Sequence, residues 1–117
     1  MRKGCDFLFS KQLPDGGWGE TLQSCLEKRY VSTSESTVAQ TSWSLLGLMA
    51  AGVDLDRIKQ GIAFLVKSQR LNGEWDGEGA TGFFSSSCPT DYTYYKLLFP
   101  LWTLNRYKNI LCSKEYK

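Results

Sequence analysis

What most limits the fold of this chain is a stretch that occurs twice. Gly4, Phe7, Leu8, Gln12, Gly16 and Trp18 return as Gly61, Phe64, Leu65, Gln69, Gly73 and Trp75, each pair 57 residues apart without a gap. A repeat of this kind is one supersecondary unit used twice, and such units stack because none buries its apolar face alone. Each copy reads as a helix running through Phe-Leu to Gln, then a glycine turn that ends it, then a tryptophan. The expected fold is all-α: α/α hairpins joined by long loops that carry Gly and Trp.

The segments around the copies fit that reading. The first helix spans 4–11, and Pro14 with Gly16-Gly17 forbids its continuation. Residues 19–36 are polar and read as a solvated strap across a helix end. A helix over 37–51 follows, capped by Thr37 or Ser36. Val38, Thr41, Leu45, Leu48 and Gly52 lie on one stripe of it, and Ala39, Trp43, Leu46 and Ala50 widen the stripe into a buried face. Asp54 caps a helix from Leu55 to about Gln69, close enough in sequence to pack antiparallel on its predecessor. After a second long connection over 70–88, the pattern opens a last helix near Thr90. Tyr92, Tyr95, Phe99, Trp102 and Arg106 share a face of it, with Leu98, Leu101 and Leu104 beside them, and Pro100 is expected to kink it.

Composition excludes several functions. With 42% hydrophobic and 14% aromatic residues a packed core is within reach. A net charge of +2, with no basic cluster beyond Lys28-Arg29, argues against a nucleic-acid surface. Cysteines at 5, 25, 88 and 112 show no CxxC spacing and the chain has no histidine, so no metal ligand set is expected. Met1-Arg2-Lys3 leads into the repeat without an apolar signal-peptide core, which points to free thiols in a reducing compartment. The longest apolar run, 45–53, is too short to span a bilayer.

The doubled stretch resembles the QW motif of terpene cyclases. Lys3-Gly4-Cys5-Asp6-Phe7-Leu8, Gln12 and Gly16-Gly17-Trp18 fit it throughout; the second copy departs at Gln60, where the motif has a basic residue. Gly16-Gly17-Trp18-Gly19-Glu20, Ser24-Cys25, Arg29-Tyr30, the Trp43 helix with Gly47-Leu48-Met49, and Phe99-Pro100-Leu101-Trp102-Thr103-Leu104 are similar to the C-terminal end of oxidosqualene cyclases. The likeness runs over about residues 2–107. Phe84-Ser85-Ser86-Ser87-Cys88-Pro89-Thr90-Asp91-Tyr92 follows the oxidosqualene pattern of aromatic, three residues, Cys, three residues, Tyr. Pro89 and Asp91 depart from it.

The resemblance implies one partial domain over 1–117, part of an incomplete α/α barrel (a toroid), with QW copies at 3–18 and 60–75. It implies a reaction in which 2,3-oxidosqualene is protonated at its epoxide and folded into fused rings through carbocations, without a cofactor. It makes Phe84 and Tyr92 the candidate cavity-lining residues. The family's acid sits in an Asp-Cys-Thr-Ala-Glu string that this sequence lacks, so no catalytic residue is expected here. The chain thus reads as a C-terminal cyclase fragment that contributes a cavity wall. Gln12, Gly16, Trp18, Gln69, Gly73 and Trp75 are expected to tie helices together rather than touch substrate. Each Gln would cover open carbonyls at a helix end, with a tryptophan face against its amide. The resemblance also implies an intracellular site, with peripheral attachment to endoplasmic reticulum or lipid droplets.

Four other readings compete. They are a non-catalytic helical module that binds a protein or an isoprenoid, a squalene–hopene cyclase-like fragment, a prenyltransferase β subunit, and a carbohydrate-binding module. The prenyltransferase would need a zinc-ligating histidine. Helical periodicity around Trp18 and Trp75 argues against exposed sugar platforms.

Overall fold

A computed structural model describes residues 1–76, 79–80, 82–84 and 88–115, with the backbone alone at 82–84 and 114–115. In chain order the elements are α1 (Arg2–Ser10), α2 (Gln23–Glu27), α3 (Val38–Ala50), α4 (Leu55–Ser68), β1 (Gly82–Phe84), β2 (Cys88–Thr90) and α5 (Tyr95–Glu115). Among the described residues the fold is helical, with an antiparallel ribbon pairing Gly82 with Thr90, Phe83 with Pro89 and Phe84 with Cys88.

α3 is the central element and packs against both α4 and α5. Thr37 caps it, its side chain accepting from the Gln40 N–H at 3.3 Å. At its other end the Val53 N–H reaches Leu48 O at 3.2 Å and the Gly52 N–H reaches Met49 O at 3.1 Å. That bond pair is the Schellman arrangement, and Gly52 takes the left-handed φ of 72° that it demands. Asp54 then caps α4 by accepting from the Asp56 N–H at 3.1 Å. Residues 51–54 thus turn the chain straight from one helix into the next, as the sequence predicts.

Leu45 and Leu48 of α3 and Ile58 and Leu65 of α4 are fully buried, joined by Trp18 and Trp75. α5 approaches through small and rigid groups: Pro100, Thr103 and Ser42 are all fully buried. The hydroxyl groups there stay bonded. Ser42 Oγ donates to Val38 O at 2.7 Å, and Thr103 Oγ1 lies 2.8 Å from Phe99 O and 3.3 Å from Ser42 O.

Several expected details differ. The strap over 19–36 contains the short helix α2 and an isolated bridge between Glu20 and Ser32. Two Val31–Ser24 hydrogen bonds fold it on itself, and Lys28 ends α2 with a φ of 52°. The last helix opens at Tyr95 rather than Thr90, because Thr90 is committed to the ribbon. Pro100 lies inside this helix, near its start, where the Lys96 carbonyl loses its donor. Leu98, Leu101 and Trp102 are each more than half exposed, so the buried face of α5 is instead that of Pro100, Thr103, Leu104, Tyr107 and Ile110. Ala50 is exposed as well.

Nothing lies within 4 Å of a methyl group added at Gly52, so substitution there costs backbone strain alone. Gly52→Ala should lower unfolding stability by about 1–2 kcal/mol. Urea denaturation followed by circular dichroism measures it.

Candidate functional site

Both repeat copies build the same hydrogen-bonded module. The Gln12 Nε2–H donates to Gly16 O at 2.7 Å and the Gln69 Nε2–H to Gly73 O at 2.8 Å. The Trp18 Nε1–H donates to Leu8 O at 2.7 Å, and the Trp75 Nε1–H to Leu65 O at 2.9 Å. Backbone bonds from Leu13 N to Gly17 O and from Arg70 N to Glu74 O close each turn, at 2.9 and 2.8 Å. Gly16 and Gly73 hold φ values of 94° and 87°, which side-chain-bearing residues rarely adopt. The division of labour differs from the sequence reading. Glutamine braces the turn, while the indole N–H supplies the donor that the helix end lacks.

The first module is also bolted to α3. The Trp18 N–H donates to Thr41 Oγ1 at 2.9 Å, and the Thr37 N–H to Trp18 O at 2.9 Å. Gln40 clasps the Glu20 backbone, accepting from its N–H at 2.6 Å and donating to its carbonyl at 3.1 Å. The Asp15 carboxylate accepts from the Gly17 N–H at 3.1 Å, from the Ser36 N–H at 3.0 Å and from the Ser36 hydroxyl. Burial pushes the Asp15 carboxyl up, but these donors outweigh it and hold the group below its ordinary value.

The second feature is an aromatic ladder where α5 meets α3. The Tyr92 ring lies 4.8 Å from Tyr95 at 30°, and Tyr95 meets Phe99 edge-on at 5.3 Å. Trp43 of α3 presents its edge or face to both, at 5.7 Å from Tyr95 and 5.6 Å from Phe99. Phe99 in turn stacks with Trp102 at 6.0 Å and 18°. These separations are those of favourable aromatic pairs. Tyr92, at one end of the ladder, is exposed, and its carbonyl accepts from the Tyr95 N–H at 2.9 Å as α5 begins. Asp91, which departs from the family pattern, pairs with Lys96 at 3.8 Å and anchors the approach to the helix. Pro89, the other departure, sits in the ribbon opposite Phe83.

Of the two candidate cavity residues, Phe84 is the last residue of β1, paired with Cys88, and its side chain lies outside the described residues. Tyr92 joins the ladder. Trp43, Tyr95 and Phe99 are not among the cavity residues expected from the sequence, although the spacing of 92, 95, 99 and 102 traces one helical stripe. Trp43 could be matched to that stripe only through the packing of α3 on α5.

A family model described as the squalene–hopene cyclase C-terminal domain matches residues 1–109. The lanosterol synthase of Candida albicans is 47% identical over 110 residues, which are 93% of this chain and 15% of that protein. The human lanosterol synthase is 40% identical over 111 residues, 94% of this chain and 15% of that protein. A squalene–hopene cyclase of Bradyrhizobium diazoefficiens is 42% identical over 114 residues, 94% of this chain and 17% of that protein. The chain belongs to the squalene–hopene and oxidosqualene cyclase family. Within that family its residues correspond to the C-terminal segment of an oxidosqualene cyclase, and it spans about 15% of the length of the lanosterol synthases it matches.

Trp75→Phe should leave the buried Leu65 carbonyl without its donor and destabilise the chain by about 1–3 kcal/mol, read by denaturant titration. Asp15→Ala should lower the melting temperature at neutral pH. Because the folded carboxyl is held below its unfolded value, its contribution is complete above about pH 4. It fades as pH falls through the folded value, so thermal melts of wild type and variant should converge in acid.

Proposed function

We propose that this chain forms one wall of the cavity in which an oxidosqualene cyclase folds 2,3-oxidosqualene into a sterol or triterpene skeleton, and that the acid that opens the epoxide is supplied from elsewhere in the enzyme. The observation that carries this reading is the ladder of Tyr92, Tyr95, Phe99 and Trp43, continued by Trp102. A polyene cyclisation passes positive charge along a hydrocarbon. It needs surroundings that stabilise cations without capturing them, and aromatic faces do both, each worth up to about 2 kcal/mol when desolvated. Rings fixed by one another and by helix packing need no reorganisation as the charge develops. Phe84, next to the ladder in sequence, is proposed as a further cavity residue. The repeat tryptophans are proposed to be structural, since both are 3% exposed and both indole N–H groups are taken by helix carbonyls. Peripheral association with an intracellular membrane, endoplasmic reticulum or lipid droplet, would suit an enzyme with so apolar a substrate.

The likeness to the bacterial cyclase supports a second reading, in which the same wall serves squalene itself. A chimera separates the two. Replacing the matched segment of the Candida albicans lanosterol synthase with this chain should give an enzyme that cyclises 2,3-oxidosqualene in preference to squalene, read by product chromatography. In that chimera Tyr92→Leu should lower kcat by up to roughly 30-fold, the rate equivalent of one lost cation–π contact, with little change in melting temperature. A folded chimera that turns over neither substrate, or one indifferent to Tyr92, would overturn the proposal.

A further inference from the structure

Trp43 stands between surroundings of opposite character. Toward α5 its ring meets Tyr95 at 5.7 Å and Phe99 at 5.6 Å, both nearly perpendicular. It also lines a cleft of about 350 Å³ whose described lining comes from the strap over 19–36 and from α3. Glu20, Thr21 and Ser24 of the strap and Gln40 and Ser44 of α3 make that lining polar.

Contacts inside this segment build the cleft. Gln40 grips both backbone groups of Glu20 at 2.6 and 3.1 Å, and Ser24 bonds the Val31 backbone. Thr21 Oγ1 is buried and has no hydrogen-bonding partner among the described residues. A buried hydroxyl beside a polar cleft is a place where water settles, and the cleft has room for several waters of about 30 Å³ each. Elsewhere along the contact of α3 with α5 the way is shut, because Ser42, Pro100 and Thr103 are fully buried. Trp43 thus touches both the polar cleft and the aromatic ladder.

We propose that Trp43 is a specificity-determining residue, whose indole keeps the water of the strap cleft from cations held against the ladder. The proposal rests on the cavity-wall reading and adds to it what decides the fate of the cation. A carbocation reached by water forms a C–O bond from an oxygen lone pair. The oxonium then releases a proton to solvent, leaving an alcohol with one oxygen from water. A cation kept dry instead loses a proton from a neighbouring carbon to an acceptor of the enzyme, giving an alkene and no new oxygen. Excluding water from the site selects the second outcome.

The chimera of the Candida albicans lanosterol synthase carrying this chain tests it. Turnover of 2,3-oxidosqualene is run in water enriched in oxygen-18, and the products are read by mass spectrometry. The parent chimera should release products that carry the substrate's oxygen alone. Trp43→Ala should raise the share of alcohols with a labelled oxygen at least roughly tenfold. Adding Ser44→Leu to that variant fills the cleft with apolar bulk and should lower the share again, which a lost ring contact alone does not predict. Tyr92→Leu removes a ladder ring without opening the cleft, so its labelled share should stay at the parent's level. Should Trp43→Ala not fold, Trp43→Leu is read in its place, with a smaller rise in the same direction. Trp43 variants that turn over substrate with no rise in label would overturn the proposal, as would a rise that Ser44→Leu leaves untouched. A folded parent chimera without activity, or one whose rate ignores Tyr92, strikes the cavity-wall reading itself and this inference with it.

Discussion

A helix that ends inside a packed domain leaves carbonyls without donors, and here an indole N–H ten residues further on fills that role in both copies. Trp18 reaches Leu8 and Trp75 reaches Leu65. An unpaired buried carbonyl costs about 1–3 kcal/mol, and a donor carried on a large apolar ring covers the carbonyl while it fills the core. The remaining repeat positions follow from that bond. For a tryptophan to fold back onto its own helix, the chain must reverse within a few residues, which demands the left-handed glycine. The reversed segment must also be held, which the glutamine does by bonding the glycine carbonyl. Phe-Leu supplies the helix end that is being capped.

The glycines of the repeat fall into two kinds that the sequence alone does not separate. Gly16 and Gly73 are needed by their own turns, as their positive φ values show. Gly61 and Gly17 are needed by their neighbours. A side chain at Gly61 would strike Trp18, and one at Gly17 would strike Thr41 and Ser36. That distinction accounts for one of the places where the copies diverge inside the turn. Glu74 replaces Gly17 where the second turn is exposed. The first module is bound to α3 by Thr41 and Gln40 and to Ser36, just ahead of that helix, by Asp15; the second keeps its internal bonds.

Much of the helical framework was legible because it is written in local chemistry. Thr37, Gly52 and Asp54 mark helix ends through caps that involve only near neighbours, and they sit where the sequence places them. The doubled motif and the family likeness were legible for the same reason. What was not legible depends on partners far along the chain. The roles of Gln12 and Trp18 exchange because the choice of acceptor is set by how the turn folds back, not by which residue is nearer the helix end. The late start of α5 follows from strand pairing of 88–90 with 82–84. The buried face of α5 is set against α3 at Ser42, where Pro100 and Thr103 are buried while Leu98, Leu101 and Trp102 face out.

That same close approach determines what the aromatic ladder can do. Ser42 and Thr103 lie at the crossing of α3 and α5, and Trp43 and Phe99 lie beside them on their respective helices. With the crossing filled by small and rigid groups, the helices have little freedom to slide. The Trp43 ring is therefore held edge-on to both Tyr95 and Phe99 by backbone packing rather than by ring contacts alone. Under the proposed function such rigidity matters, because rings already in position need no rearrangement when charge arrives. Labour is thus divided along the chain: the repeated motif fixes helices to turns, and the unrepeated helix crossing fixes aromatic faces to one another.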